Sequence, residues 1–185
     1  PETGAYTGSL DDLPPHTLYY VSAYAPRSVG IGYGDEQTFT TQDGLPVLTT
    51  TSVTGITATS AVSGGNITSD GGAAITARGL VWSTSQNPTV ETNNGITSNG
   101  TGTGSFTSNL TNLQPQTLYY VRAYATSSVG TSYGDEQTFT TQDGLPVLTT
   151  TSVTGITATT AVSGGNITSD GGAAITARGL VWSTS

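Results

Sequence analysis

Residues 113–125 read LQPQTLYYVRAYA, which is a proline-containing turn signal followed by a strongly alternating strand. One hundred residues earlier, residues 13–25 read LPPHTLYYVSAYA, so the stretch occurs twice. Strict alternation of apolar and polar side chains over such a length is typical of a half-buried β-strand. The stretch therefore predicts a β-sheet protein that is built on a repeat of about one hundred residues.

The two copies of this stretch also predict which side of the strand is buried. Successive side chains of a strand point to opposite faces. One face is identical in the two copies, whereas the other carries Ser22 in the first copy and Arg122 in the second. We expect the identical face to point into the core, because a buried position tolerates change poorly. That face holds Tyr119, Val121, Ala123 and Ala125, repeated as Tyr19, Val21, Ala23 and Ala25.

The repeat divides the chain into three parts. Residues 145–185 match residues 45–85 at every position except Thr160, which replaces Ser60. The linker Asp-Gly-Leu-Pro stands before both, and its proline should stop strand pairing. We expect a C-terminal half-module at 1–44, a complete module at 45–144 and the N-terminal half of the next module at 145–185.

Turn signals and alternation predict seven strands for the complete module. Residues 86–104 are rich in Asn, Thr and Gly, so we expect a loop there with one short edge strand. In the third strand we expect Ile75, Ala77, Gly79 and Val81 to face the core. The predicted strands lie at 47–53, 61–67, 75–82, 105–110, 117–126 and 132–140; residues 4–40 should repeat the last three, and residues 145–185 should repeat the first three.

Composition restricts the class of function. The chain has four cationic residues against twelve acidic ones, a net charge of −8, no Cys and 34% hydrophobic residues. Nucleic acids and anionic membranes require clustered cations, so we expect neither as a partner. Without Cys there is no disulfide or Cys-based metal site, and no apolar run is long enough to insert into a membrane.

Two groups of motifs resemble known families. The pattern Leu-x-Pro-x-Thr-x-Tyr-x-Val-x-Ala at 113–123, with Ser-Val-Gly at 128–130, resembles the fibronectin type III family. That resemblance implies an immunoglobulin-like sandwich in which Tyr119 forms a tyrosine corner with the preceding turn. Residues 78–89 and 102–106 look like tandem modules of large secreted or surface proteins of Bacteroidetes-type bacteria. The resemblance implies an extracellular or cell-surface spacer or adhesive stalk.

One strand face is a candidate surface for contacts. With the third strand oriented as above, cations and aromatic rings would alternate on the outer face of the third and sixth strands. Such a face suits a glycan or a surface protein, but cross-strand cation–π and aromatic pairs that stabilise the sheet are the more economical interpretation. The residues are Arg78, Trp82, Tyr120, Arg122 and Tyr124.

No group of residues predicts catalysis or a cofactor. Ser residues are many, but none recurs with a His and a carboxylate at triad positions, so we expect no enzyme. The acidic pairs at 35–36 and 135–136 could bind calcium, although charges near strand ends commonly protect sheet edges. Neither pair has the ligand spacing of a calcium loop, so we expect no metal.

The two half-modules predict assembly. Three strands alone expose a complete apolar face, so each half needs a partner sheet. We expect other copies of the chain, head to tail, or the continuing chain to complete the sandwich in a filament, stalk or adhesin shaft. An accessory module of a secreted enzyme that binds carbohydrate or protein is the alternative. The expected assembly core is Tyr19, Val21 and Ala23 with Ile175 and Val181.

Overall fold

The computed structural model describes residues 3–184, and the regular secondary structure of those residues consists of β-strands. The first segment holds β1 (Leu18–Val21), β2 (Tyr24–Arg27), β3 (Gly30–Tyr33) and β4 (Gln37–Thr40). The middle of the chain holds β5 (Val47–Thr50), β6 (Ala61–Ser69), β7 (Ala77–Ser83), β8 (Gly95–Ile96), β9 (Gly104–Leu110), β10 (Leu118–Thr126), β11 (Thr131–Tyr133) and β12 (Gln137–Thr140). The last segment holds β13 (Val147–Thr150) and β14 (Gly165–Ser169).

Residues 45–144, which we call the central sandwich, form two antiparallel sheets. The first sheet has the order β5-β6-β9, and the second has the order β8-β7-β10 with β11 and β12 both on the far edge of β10. Because β12 pairs with the first half of β10 and β11 with the second half, they are two segments of one edge strand. The fold is an all-β, seven-stranded, immunoglobulin-like sandwich with the fibronectin type III arrangement of strands.

The edge strand was predicted to be continuous over residues 132–140, and this detail is wrong. The strand is interrupted between β11 and β12, where the Gly134 N–H donates to the Ala123 carbonyl over 2.9 Å. At this point Gly134 lies against the backbone of Thr50 in the facing sheet, too close for any side chain. The interruption thus lets the edge of one sheet approach the other sheet directly.

The core lies between the sheets and includes the predicted inner face of β10. Tyr119, Val121, Ala123 and Ala125 are all buried in one cluster, which confirms the face assigned from the repeat. Tyr119 also forms the expected tyrosine corner, because the Gln114 N–H donates to its hydroxyl oxygen over 3.0 Å. The other members of the cluster are Leu48, Ala61, Ile67, Ile75, Leu80, Trp82, Leu110, Leu113 and Phe139.

The orientation predicted for the third strand is wrong for Ala77, Gly79 and Val81, whereas Ile75, which precedes β7, lies in the core cluster as expected. In β7, Trp82 lies directly opposite Val121 and Leu80 opposite Ala123, and directly paired residues share a face of the sheet. Trp82 and Leu80 therefore point into the core, whereas Val81 points outward. The sequence was ambiguous because both faces of this strand are apolar, as in strands covered on both sides.

A loop between β7 and β9 covers the outward face of β7. The Val90 N–H donates to the Tyr133 hydroxyl over 3.0 Å, and the Tyr124 hydroxyl donates to the Thr97 carbonyl over 2.9 Å. Under this layer Val81 is fully buried. The short edge strand expected in this loop is present as β8. The loop thus extends the second sheet through β8 and also covers the outward face of β7 as a third layer.

The segments on either side of the central sandwich form fewer strands than predicted. We call them the N-terminal segment (residues 3–44) and the C-terminal segment (residues 145–184). Residues 4–10 and 175–182 were expected to be strands, and neither is one. In the central sandwich the equivalent strands, β9 and β7, pair with β6 and β10. Each end segment lacks that pairing strand, which explains the missing elements.

Candidate assembly surfaces

The N-terminal segment retains the pairing of the central sandwich without its core. β1 pairs with β4 in the register of β10 with β12, so that Tyr19 lies opposite Phe39 as Tyr119 lies opposite Phe139. The Tyr19 and Phe39 rings stack with centroids 5.5 Å apart, against 5.7 Å for the central pair. Tyr19 and Phe39 are nevertheless half-exposed, whereas their counterparts are buried. The segment therefore presents a preformed but uncovered inner face.

The C-terminal segment shows the same property for the other half of the fold. β13 pairs with β14 in the register of β5 with β6, including the irregularity after the first residue of the strand. Its apolar residues are uncovered: Trp182 is 90% exposed against 6% for Trp82, and Leu148 is 57% exposed against 9% for Leu48. Two open grooves of ≈ 450 and ≈ 820 Å³ lie along this face. They occupy the place of the missing core.

The residues predicted for the assembly core lie on these two faces with one exception. Tyr19 and Val21 are half-exposed, Ala23 is exposed, and Ile175 is half-exposed in the first groove. Val181 is the exception, because its counterpart Val81 points to the outer face of the central sandwich. The structure does not bring the two groups together within one chain.

The strand pairing shows which residues the sequence analysis missed. Leu180 and Trp182 are the counterparts of Leu80 and Trp82 in the buried cluster, so they belong to the inner face that Val181 was expected to form. Phe39 was missed as well, although it repeats Phe139 of the cluster. The alternation of Leu180 and Trp182 with the residues around them was a usable signal, but it required knowing which face is inward.

The contacts at the two ends of the central sandwich are nearly the same. At the first, the Gly44 N–H donates to the Gly71 carbonyl over 2.8 Å; at the second, Gly144 donates to Gly171 over 2.6 Å. Gly71 and Gly171 are both buried, although most of the C-terminal segment is exposed. We call these contacts the first and second junctions. At the first junction the turn that follows β6 lies against the linker that precedes β5. At the second junction the turn that follows β14 lies against the linker that precedes β13.

Glycine is required at the centre of each junction. Gly71 and Gly171 have φ of 72° and 76°, a left-handed conformation that side chains disfavour. A Cβ atom on Gly171 would also clash with the backbone of Gly144, and one on Gly71 would clash with Gly44 in the same way. The close backbone approach fixes the position of each turn on its linker.

The first junction carries one side-chain hydrogen bond that the second lacks. His16 Nδ1 lies 2.8 Å from Asp43 Oδ1, and both side chains are largely exposed. Gln116 stands in place of His16 at the second junction. Exposed pairs of this kind contribute between about 0 and 1 kcal/mol, so the glycine contacts that both junctions share dominate the geometry.

The five residues of the candidate contact surface lie on two different faces. Tyr120, Arg122 and Tyr124 point outward from β10, whereas Trp82 is buried in the core and Arg78 lies at the end of the inner face, opposite Ala125. The prediction of one continuous aromatic and cationic face is therefore wrong. The error arises because β7 was predicted with its inner and outer faces exchanged.

Most of these side chains bind parts of their own sandwich. The Arg78 guanidinium donates to the carbonyls of Asn99, Gly102 and Thr103 over 2.8–3.1 Å. Its carbon Cζ also lies 5.5 Å from the centroid of the Phe106 ring. These contacts hold the loop before β9 in place, so Arg78 has a structural role.

The outward residues are covered to different degrees. Tyr124 is only 5% exposed, and burial raises the pKa of its hydroxyl, with Tyr133 adding to the effect. Arg122 donates to the Gly134 carbonyl over 3.1 Å and lies 4.8 Å above the Tyr133 ring. A contact with a glycan or a protein stays a prediction for Arg122 and the half-buried Tyr120.

The acidic pair at residues 135–136 has a structural partner in the central sandwich. The Asn87 N–H donates to the Glu136 carboxylate, which fastens the loop of the third layer. Among residues 3–184 no three His, Cys, Asp or Glu side chains are grouped closely enough to hold a metal ion. The same residues include no helix that could cross a bilayer.

No protein-family model matches the chain, and no curated protein matches it either. Solved structures with a similar fold include the sensor domain of the anti-sigma factor RsgI4 in Pseudobacteroides cellulosolvens, at 18% identity over 54% of this chain and 96% of that one, with a TM-score of 0.39. Domains FN1–FN3 of chicken CNTN1 are 18% identical over 74% of this chain and 47% of that one, with a TM-score of 0.39. Domains d3–d4 of the rat CD45 extracellular region are 16% identical over 74% and 70%, with a TM-score of 0.43. The fold assignment itself rests on the strand order and the tyrosine corner described above.

Proposed function

We propose that the chain is a non-enzymatic structural protein of the extracellular space or cell surface, in which tandem β-sandwiches form a filament, stalk or adhesin shaft. In this proposal residues 45–144 are one complete module. Residues 1–44 and 145–185 are halves of the neighbouring modules, completed by other copies or by the continuing chain. Large secreted or surface proteins of Bacteroidetes-type bacteria are the class that its motifs resemble.

The repeated junction is the observation that carries this proposal. The hydrogen bond from Gly44 to Gly71 recurs from Gly144 to Gly171, one hundred residues further on. When the same contact occurs at each junction, each module has the same orientation relative to the module before it. An array of modules then extends along a line or a regular helix, as in other repeat proteins.

The junction also supports a stiff connection between modules. A short linker that contains Pro46 or Pro146 has little conformational freedom, because proline fixes its own φ angle. The buried backbone contact between Gly44 and Gly71 removes more of it, because bending the junction breaks a hydrogen bond and exposes polar groups. A stiff shaft fits a role in spacing or support.

The central sandwich gives little support to the alternative function, an accessory module that binds carbohydrate or protein. Trp82 and Tyr124, two of the three aromatic residues expected on the contact face, are both almost fully buried. A module that binds sugars through flat aromatic rings needs those rings at the surface. This burial favours the structural role.

Spin labels across the two junctions test the proposal. The chain has no Cys, so labels can be placed at will on the exposed Thr38 and Thr68, and on their counterparts Thr138 and Thr168. We expect the 38/68 pair and the 138/168 pair to give the same narrow distance distribution. Broad distributions, or two clearly different mean distances, would mean that the modules are not held in a regular array.

A further inference from the structure

We infer that strand β9 of the central sandwich pairs with β9 of a second copy of the chain, so that the sheet β5-β6-β9 continues across two molecules. Among residues 3–184 neither end segment pairs with β9, and both segments meet the central sandwich at the junctions. The contact therefore lies at the side of the sandwich and goes beyond the proposed function. Four features of β9 support it.

The first feature is that β9 lacks the protection that the other sheet edges have. Natural β-proteins protect their sheet edges, because an open edge pairs readily with another chain. β5 is protected by Gly134 of the facing sheet, which lies against the backbone of Thr50. β8 is two residues long, and the far edge beyond β10 is interrupted at Gly134 and carries Asp135 and Glu136. In contrast, β9 is continuous over seven residues, Gly104–Leu110, and contains no proline and no charged residue.

The second feature is a row of backbone groups that point away from β6. Gly64 of β6 pairs with Thr107, but the Gly64 carbonyl points the other way and accepts the Thr51 N–H over 3.0 Å. This pair is therefore a non-hydrogen-bonded pair, and such pairs alternate along an antiparallel ladder. Every second residue of β9 thus directs its N–H and C=O groups to the open edge. These residues are Ser105, Thr107 and Asn109.

One side chain bonds to this row within the chain. Asn99 Nδ2 donates to the Thr107 carbonyl over 3.0 Å. A carbonyl oxygen has two lone pairs, so this bond leaves Thr107 able to accept the N–H of an added strand. The loop that carries Asn99 also has open space around Gly100 and Gly102. The Asn99 side chain therefore has room to turn aside when a strand is added.

The third feature is that β9 is complementary to itself. When two copies meet in antiparallel orientation with Thr107 opposite Thr107 of the second copy, Ser105 lies opposite Asn109 of the second copy. Residues of the open edge then face residues of the open edge, and their backbone groups form hydrogen bonds in both directions. Thr opposite Thr also stabilises neighbouring strands. The contact has a twofold axis at Thr107, so it is isologous and closes in a pair.

The fourth feature is the absence of charge around β9. The chain has a net charge of −8, so two copies repel each other unless the surfaces in contact are neutral. Residues 44–69 and 92–121 contain no charged residue, and they include the whole sheet β5-β6-β9. The charged residues of the central sandwich lie in the other sheet, in the loop over β7 or at the junctions. A basic partner would be drawn to those acidic regions, whereas the neutral sheet suits a second copy of the same acidic chain.

The counterpart of β9 in the first repeat has the same composition. Residues 4–10 read GAYTGSL and also contain no charged residue and no proline. In an array of sandwiches each module then contributes one weak lateral contact, and several contacts acting together hold two shafts side by side. This consequence rests on the proposed function, whereas the contact itself does not.

A single cysteine at the twofold axis tests the contact and its register. In Thr107→Cys the two thiols belong to directly opposite residues, whose Cα atoms are about 5.5 Å apart in a hydrogen-bonded pair. This distance is within the range of a disulfide. The chain has no Cys of its own, so we expect mild oxidation to convert the variant into a covalent dimer and into nothing larger.

The matched control is Ser105→Cys, which places an exposed thiol two residues away on the same face of β9. In the inferred register the Cα atoms of the two residues 105 are roughly 14 Å apart, too far for a disulfide. We expect the covalent dimer to form several times more slowly in this variant. Equal rates in the two variants would show random collision and would overturn the inference. The absence of a covalent dimer in Thr107→Cys at concentrations well above micromolar would overturn it as well.

Sedimentation equilibrium of unlinked chains measures the strength of the contact. Thr107→Lys places two like charges opposite each other at the axis, so we expect it to weaken dimerisation by about tenfold or more. The control Thr138→Lys makes the same change of charge at an exposed residue of β12, on the far edge of the other sheet, and should dimerise like the wild-type protein. A monomeric wild-type chain, or equal dimerisation of the two Lys variants, would overturn the inference.

One further outcome concerns the kind of partner. A monomeric chain that binds an added, uncharged, extended peptide at β9 would identify this edge as a docking site for another protein, and would overturn the second copy as its partner. None of these measurements depends on the spin-label distances across the junctions, which test the regular array separately.

Discussion

Tyr119 and Tyr19 hold equivalent positions in the repeat but differ in hydrogen bonding. The Gln114 N–H donates to the Tyr119 hydroxyl, whereas Pro14 stands at the position equivalent to Gln114 and has no N–H to donate. We expect Tyr119→Phe to lower the free energy of unfolding by about 1–2 kcal/mol, because it leaves a partly buried N–H without its acceptor. Unfolding in denaturant measures this loss.

The chain supplies the control for this variant. Tyr19→Phe removes a hydroxyl without removing a tyrosine-corner bond, so we expect no measurable change in stability. Similar losses in Tyr119→Phe and Tyr19→Phe would contradict the importance assigned to the corner bond.

The second residue-scale prediction concerns alkaline pH. Burial, assisted by Tyr133, raises the pKa of the Tyr124 hydroxyl, so the unfolded chain ionises at this tyrosine before the folded chain does. The stability that Tyr124 contributes is complete below its ordinary pKa of about 10 and is lost as the pH rises towards the folded-state value. Between about pH 9 and pH 11, we expect the melting temperature of the Tyr124→Phe variant to fall less than that of the wild-type protein. Parallel losses in the two proteins would contradict this.

At the scale of the elements, the third layer over β7 depends on Gly79. A Cβ atom at Gly79 would clash with the Thr97 carbonyl and the Tyr124 ring. We expect Gly79→Ala to lower the free energy of unfolding by about 1–3 kcal/mol, as is typical when a packed interior receives an extra methyl group. Unfolding in denaturant, followed by the fluorescence of Trp82, measures the loss.

Gly179 is the matched control for Gly79. It occupies the same position in the repeat, but nothing lies within 4 Å of the atom that Gly179→Ala would add. We therefore expect that variant to unfold like the wild-type protein. A comparable loss of stability in Gly179→Ala would show that the cost lies in the strand backbone and not in the covering loop.

The elements differ in how far the sequence alone could predict them. β10 was assigned to the correct face because the two copies of its sequence differ on one face only, at Ser22 and Arg122. β7 was assigned to the wrong face, since Val81 and Trp82 are both apolar and both buried. The sequence did not show that a loop covers the outward face of β7, because a loop rich in Asn and Thr has no pattern that indicates which surface it packs on. The error carried over to Val181 and to the expected contact face.

The end segments show a second limit of sequence reasoning. Residues 177–182 are identical to residues 77–82 of β7, and residues 4–10 are similar to β9, yet neither segment is a strand here. A strand in an antiparallel sheet is held by its neighbour, so identical residues behave differently when that neighbour is absent. Local sequence predicted the capacity to form strands, and the presence of the partner decided whether they formed.

At the scale of the whole molecule, the junction glycines should control stiffness. A Cβ atom on Gly71 clashes with the backbone of Gly44 and adds strain at a positive φ. We expect Gly71→Ala to broaden the spin-label distribution between Thr38 and Thr68 while leaving the distribution between Thr138 and Thr168 narrow. Gly55→Ala is the control, because Gly55 also has a positive φ but lies away from both junctions. Broadening in both variants would indicate general destabilisation.

The central claim is that the sandwiches stack in a regular array, and electron microscopy of the native material tests it most directly. We predict filaments or rods whose axial repeat is the length of one sandwich, about 30–35 Å for strands of ordinary length. Isolated particles or flexible chains without a regular axial repeat would contradict the account.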